Sequence, residues 1–179
     1  MKKLVKIASF ILSVLLASSL FVGCSQQKEG DVPSGMKLAS GEDADYLMYV
    51  PENWRVDKST LYTSAYYSSG DATSVSATAY GMNFDDTTVD DWFEGFLKEF
   101  KEIYTDVSQP EKADAKLGGV DGRRYTFSGT LNGTVYDYII VAVINRNYVY
   151  YITYTSTPQY YSAHLEELEN VISNFEFKK

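Results

Sequence analysis

The run Ile139-Ile140-Val141-Ala142-Val143-Ile144 is apolar at every position, with no polar residue on either side of the alternation. Successive side chains of a strand point to opposite faces, so a strand of this kind must be covered from both sides. Hairpin signals flank it. Asn132-Gly133 precedes the strand expected over Thr134 to Ile144, and Asn145-Arg146-Asn147 follows it. Asn-Gly suits the left-handed backbone of a two-residue hairpin turn. Arg123 to Thr130 and Tyr148 to Thr155 then become its antiparallel neighbours, and the pattern of the latter repeats in Tyr148-Val149-Tyr150-Tyr151-Ile152.

The remaining segments supply the covering layers. Val89, Trp92, Phe93, Phe96, Leu97, Phe100 and Ile103 recur at helical spacing, which predicts a helix over Thr88 to Tyr104 with a wide apolar stripe. Thr88 and Asp91 have the spacing of a capping box, and Asp90 complements the helix dipole. Gly95 inside this helix either admits a close neighbour or is tolerated at a cost of about 1 kcal/mol against alanine. Thr157-Pro158 is read as the cap and first position of a last helix, buried through Tyr161, Leu165, Leu168 and Ile172, before Phe175 and Phe177. Earlier, Leu61 to Ser68 and Thr73 to Tyr80 are strand candidates joined by a turn at Gly70-Asp71. Tyr46 to Val50 is a further apolar and aromatic run ended by Pro51, and Trp54 follows in a turn that folds its indole back over the sheet end. Order is expected from near Asp45, and the stretch containing Pro110 and Gly118-Gly119 is expected as a loop. The fold class is therefore α+β, one layered domain with a central twisted antiparallel sheet flanked by helices.

The N-terminus is of another kind. Lys2, Lys3 and Lys6 precede the apolar run Ile7 to Val22, which is shorter than the roughly 20 residues of a spanning helix. The run ends at Gly23-Cys24, and Cys24 is the only cysteine. This is a secretory leader whose cut leaves cysteine first, and it resembles the lipobox of bacterial lipoproteins. Phe21 departs from that motif, where Leu, Val or Ile is usual. The expected organisation is a lipoprotein signal peptide at 1–23, a flexible tether at 24–40 and a domain at 41–179, held to the membrane by lipid on Cys24 on its extracytoplasmic face. Loss of the leader removes three lysines and lowers the net charge from −8 to −11. Such a surface repels phosphate backbones, which argues against nucleic-acid binding. With its thiol acylated, the chain has no disulfide and rests on its core.

Tyr49-Val50-Pro51-Glu52-Asn53-Trp54 resembles the aromatic-x-Pro-x-x-Trp opening of PsbP-like proteins. Tyr151-Ile152-Thr153-Tyr154-Thr155, through Tyr161 to Asn174-Phe175, is similar to their closing strand, helix and phenylalanine. The resemblance runs from about Tyr46 to Phe177. It implies an α/β/α sandwich around an antiparallel sheet. It also implies a role in binding other proteins, since the family includes an extrinsic subunit of the plant oxygen-evolving complex, a nuclear import factor that binds a small GTPase, and many bacterial lipoproteins. No catalytic or metal residue is carried over.

Candidate chemistry is sparse. His164 is the sole histidine, and a Ser-His-Asp arrangement would have to use it, but no Gly-x-Ser-x-Gly elbow exists. On helical spacing it lies off the Tyr161, Leu168, Ile172 face and is expected in solvent. Zinc of the usual kind is excluded by one histidine and no free thiol. Asp85, Asp86, Asp90 and Asp91 offer oxygens for calcium, though no Asp-x-Asp-x-Asp-Gly loop orders them. No cofactor is indicated. The 16 tyrosines suit strands, protein interfaces or stacking on sugar rings. Adjacent members such as Tyr150-Tyr151 must face opposite sides of a strand. The sequence thus points to a non-catalytic binding or assembly module with an envelope protein partner. Its alternative is a cell-wall glycan or small-ligand binder using surface tyrosines.

Overall fold

The computed structural model describes residues 32–57, 62–82 and 88–179. Cys24, Leu61, Asp85 and Asp86 lie outside them, as do the leader and most of the expected tether. Regular structure begins earlier than Asp45: β1 (Met36–Leu38) pairs antiparallel with β3 (Tyr49–Pro51). The apolar run before Pro51 divides, because β2 (Tyr46–Leu47) leaves β3 and pairs instead with the last strand, β11 (Glu176–Phe177).

The centre is a seven-stranded antiparallel sheet in the order β4-β5-β6-β10-β9-β8-β7. Its members are β4 (Arg55–Asp57), β5 (Thr63–Tyr66), β6 (Ser74–Gly81), β7 (Glu111–Leu117), β8 (Val120–Leu131), β9 (Thr134–Asn145) and β10 (Tyr148–Ser156). Three hairpins turn on two residues with positive φ: Gly118-Gly119, Asn132-Gly133 and Arg146-Asn147. Paired left-handed residues match the twist of the strands they join. Strand β7 corrects the expected loop. Four of its seven side chains are charged, so it carries no apolar signal, as befits an exposed edge strand.

The uninterrupted apolar run is buried on both faces. Ile139, Val141 and Val143 belong to one core cluster, and Tyr138, Ile140 and Ala142 to the other. Helix α1 (Val89–Ile103) enters the second cluster through Trp92 and Phe93, and Phe93 stacks on Tyr125 with ring centroids 3.6 Å apart. Its capping box is formed, with Thr88 and Asp91 bonding reciprocally. Phe96 is half-buried, while Ile103 departs from the expected stripe and is 67% exposed. No neighbour lies near Gly95, so the glycine is tolerated.

Helix α2 (Leu165–Ser173) enters the first cluster through Leu168 and Val171. It does not start at Thr157-Pro158. The Thr157 carbonyl accepts from the amides of Tyr160 and Tyr161 in a turn, and a 3₁₀ turn at Tyr161–His164 precedes the α-helix.

Candidate functional site

Among the described residues, two places are candidate sites. The first is a buried knot at the β5–β6 turn. Asp71 sits in the expected hairpin turn, where its Oδ1 accepts from the Thr73 amide at 2.9 Å and the Thr73 hydroxyl at 2.6 Å. Thr73 Oγ1 lies 2.7 Å from Ser156 Oγ at the end of β10. The other Asp71 oxygen lies 2.8 Å from His164 Nε2, and His164 Nδ1 is hydrogen-bonded to Glu167.

His164 is therefore not the solvated residue expected. It is buried, at 7% exposure, with its ring centroid 4.3 Å from that of Tyr67 and 5.7 Å from that of Trp54. The cause is local. The chain from Tyr161 to His164 is 3₁₀, with three residues per turn, so α-helical spacing does not give its facing. Trp54 does fold back as expected and is 1% exposed.

Both ring nitrogens of His164 face carboxylates, which is the pattern of an imidazolium donating twice. Burial works to lower its pKa, but the hydrogen bonds to Glu167 and Asp71 outweigh that and raise it. Asp71 responds in the opposite sense. Burial would raise it, and the bonds from Thr73 and His164 hold it below the ordinary carboxylate range. A histidine with both nitrogens engaged has no lone pair to take a proton from Ser156 or a water. The knot is a cross-link between the β5–β6 turn and the C-terminal helix.

The second place is an open groove of about 1070 Å³ where residues 37–45 pass over the ends of β4, β5 and β6. Small side chains make its floor: Ala77 and Ala79 on β6 beside Thr63 on β5. Tyr46 closes one side, with its hydroxyl 3.0 Å from both the Ala77 carbonyl and Thr63 Oγ1. Tyr150 donates to Asp45, and burial, reinforced by that carboxylate, pushes its hydroxyl up to about 12. Among the described residues the lining carries Glu42, Asp43 and Asp45 against Lys37, whose Nζ donates to the Glu52 carbonyl. The described part of the rim is thus net negative over a small-residue floor.

Of the acidic residues considered for calcium, Asp90 and Asp91 are described, and both have other tasks. Asp90 accepts from Lys112 at 3.0 Å and from Tyr125 at 2.9 Å, and lies 3.4 Å from Arg123 Nε. The Lys112 bond is the main cause of its lowered pKa. Asp91 closes the helix cap. Among the described residues no cluster suited to a metal ion occurs. Neither polar site was found from the sequence. Asp71 and His164 stand 93 positions apart, and only the α2–sheet packing joins them. The groove did leave a trace, since β6 alternates small residues with hydroxyls.

No family model and no curated protein matches the sequence. Solved structures do match in shape. Cyanobacterial PsbP (CyanoP) from Synechocystis sp. PCC 6803 aligns with a TM-score of 0.57 at 13% identity, over 83% of this chain and 96% of that one. LpqN of Mycobacterium tuberculosis, described as involved in cell envelope biogenesis, gives 0.55 at 14% identity, over 80% and 91%. The Saccharomyces cerevisiae Ran-binding protein Mog1p gives 0.58 at 10% identity, over 79% and 95%. Together with the observed sheet and its two helices, these alignments establish that the chain has a PsbP-like fold.

Proposed function

We propose that this protein is a lipid-anchored module on the extracytoplasmic face of a bacterial membrane, where it binds or helps assemble an envelope protein and performs no chemistry of its own. The observation that carries the reading is the groove under residues 37–45, with three carboxylates against one engaged lysine among the described residues. Its partner is a basic protein segment, drawn by charge complementarity. The engagement of both His164 nitrogens supports a non-catalytic role. The helix memberships of the two core clusters are consistent with the α/β/α layering of the fold class. Among proteins of like fold, one takes part in envelope biogenesis and another binds Ran, which favours recognition by analogy of fold alone.

The anchor rests on the charged start, the short apolar run and Gly23-Cys24. The test is purification of the acylated protein with its partner from native membranes. Association is expected to weaken as salt rises and to fail in Asp43→Lys. A partner held equally at high salt and by Asp43→Lys overturns the groove as its binding place.

A further inference from the structure

The strands β5, β6 and β10 contain no charged residue on either face, in a chain whose net charge is −8. Their register sorts these side chains sharply. Val75, Ala77, Ile152 and Tyr154 turn to the α2 cluster. The alternate positions turn to the α1 side and are nearly all hydroxylic: Ser64 opposes Ser76, Ser76 opposes Thr153, and Ser74 opposes Thr155. Thr78 opposes Tyr151, to whose hydroxyl it is hydrogen-bonded.

Helix α1 meets β10 through Trp92, whose ring centroid lies 4.8 Å from that of Tyr151. The strip is half-buried rather than fully exposed, and a tyrosine stands near each end: Tyr66 opposite Ser74, and Tyr80 at 48% exposure. On β4 the same face carries Arg55 and Asp57, whose charges cancel. Solvent-facing strands elsewhere in this sheet look different, since β7 carries four charges in seven residues.

We propose that this strip is a second binding surface, independent of the acidic groove, and that its ligand is a neutral glycan chain. The charge pattern selects the ligand. An uncharged strip on an acidic molecule suits an uncharged polymer and disfavours anionic ones. Each Ser or Thr hydroxyl both donates and accepts, matching a ligand that displays hydroxyls of the same dual kind. Tyrosine rings supply flat apolar area with a polar tip, against which the C–H face of a sugar can lie. Ser74 and Tyr80 are six residues apart, which spans about 20 Å of strand and accommodates several sugar units.

The test is a titration of the full-length protein in detergent with chitohexaose and cellohexaose, both neutral, and with an anionic oligogalacturonate. Binding of a neutral oligosaccharide is expected, with the anionic one at least tenfold weaker. Tyr80→Ala and Tyr66→Ala are each expected to weaken it about five- to tenfold. Tyr148→Ala, equally exposed but opposite Gly81 on the other face, should change it less than twofold. Asp43→Lys should leave the sugar affinity unchanged, which separates this surface from the groove. Absence of binding to both neutral oligosaccharides at millimolar concentration overturns the proposal, as does equal binding of the anionic one. Loss through Tyr148→Ala equal to that through Tyr80→Ala overturns the assigned face.

Discussion

At the scale of single residues, His164 ties the β5–β6 turn to the C-terminal helix. Its imidazolium joins Asp71 in the β5–β6 turn to Glu167 in α2. Removing one partner of such a buried pair strands the other, at a cost of about 3 kcal/mol. The dependence on pH follows from the direction of each shift. His164 has a raised folded pKa, so its contribution is complete below about pH 6.5, the unfolded value, and is lost as pH rises through the folded one. Asp71 has a lowered folded pKa, so its contribution is complete above about pH 3.9 and is lost as pH falls through the folded value. Urea unfolding of wild type and His164→Ala should therefore differ most near pH 5.5, and the difference should shrink at pH 9.5. A gap that is constant or larger at pH 9.5 would show that His164 is neutral in the fold. None of this was visible in the sequence, where a lone histidine on an expected helix reads as a surface residue. The 3₁₀ turn and a partner 93 positions away decide its burial.

At the scale of elements, the pattern of apolar residues was sufficient for β8, β9, β10 and α1. In β9 both faces are buried, and in α1 a formed cap and a clear stripe coincide. Strand β7 was missed because an edge strand needs only backbone pairing and can be charged throughout. The start of α2 was misplaced because Thr-Pro favours a turn as much as a helix, and the Thr157 carbonyl closes a turn here. Two glycines give opposite predictions. Gly95 in α1 has open space around it, so Gly95→Ala should stabilise the domain by about 1 kcal/mol through helix propensity. Gly122 in β8 faces the β9 backbone so closely that an added Cβ would overlap the Ala142 carbonyl oxygen and crowd Val143 at 2.6 Å. Gly122→Ala should therefore cost about 1–3 kcal/mol, the range for overpacking. Thermal melts of the two variants should move in opposite directions, and a Gly122→Ala domain as stable as wild type would mean that β8 and β9 are less closely apposed.

At the scale of the whole molecule, the sheet has a different character along its width. The β8–β9 half is sealed by the aromatic cluster of α1, while the β4–β5–β6 half bears the acidic groove on one face and the neutral hydroxyl strip on the other. Recognition on that half, with the domain held at a membrane through Cys24, is the proposed design. None of the described helices is long and apolar enough to cross a membrane. Cys24→Ala should abolish lipid labelling and leave a precursor uncut at Gly23, and normal processing with membrane retention would refute the anchor.

The central claim, binding without catalysis, is tested most directly by complementation of a deletion strain with chromosomal variants whose folding is verified by their melts. His164→Gln is expected to restore the envelope phenotype to wild-type level, whereas Glu42→Lys with Asp43→Lys, at unchanged protein level and membrane location, is not. Restoration by the groove variant together with failure of folded His164→Gln would contradict that claim and assign the function to the buried knot.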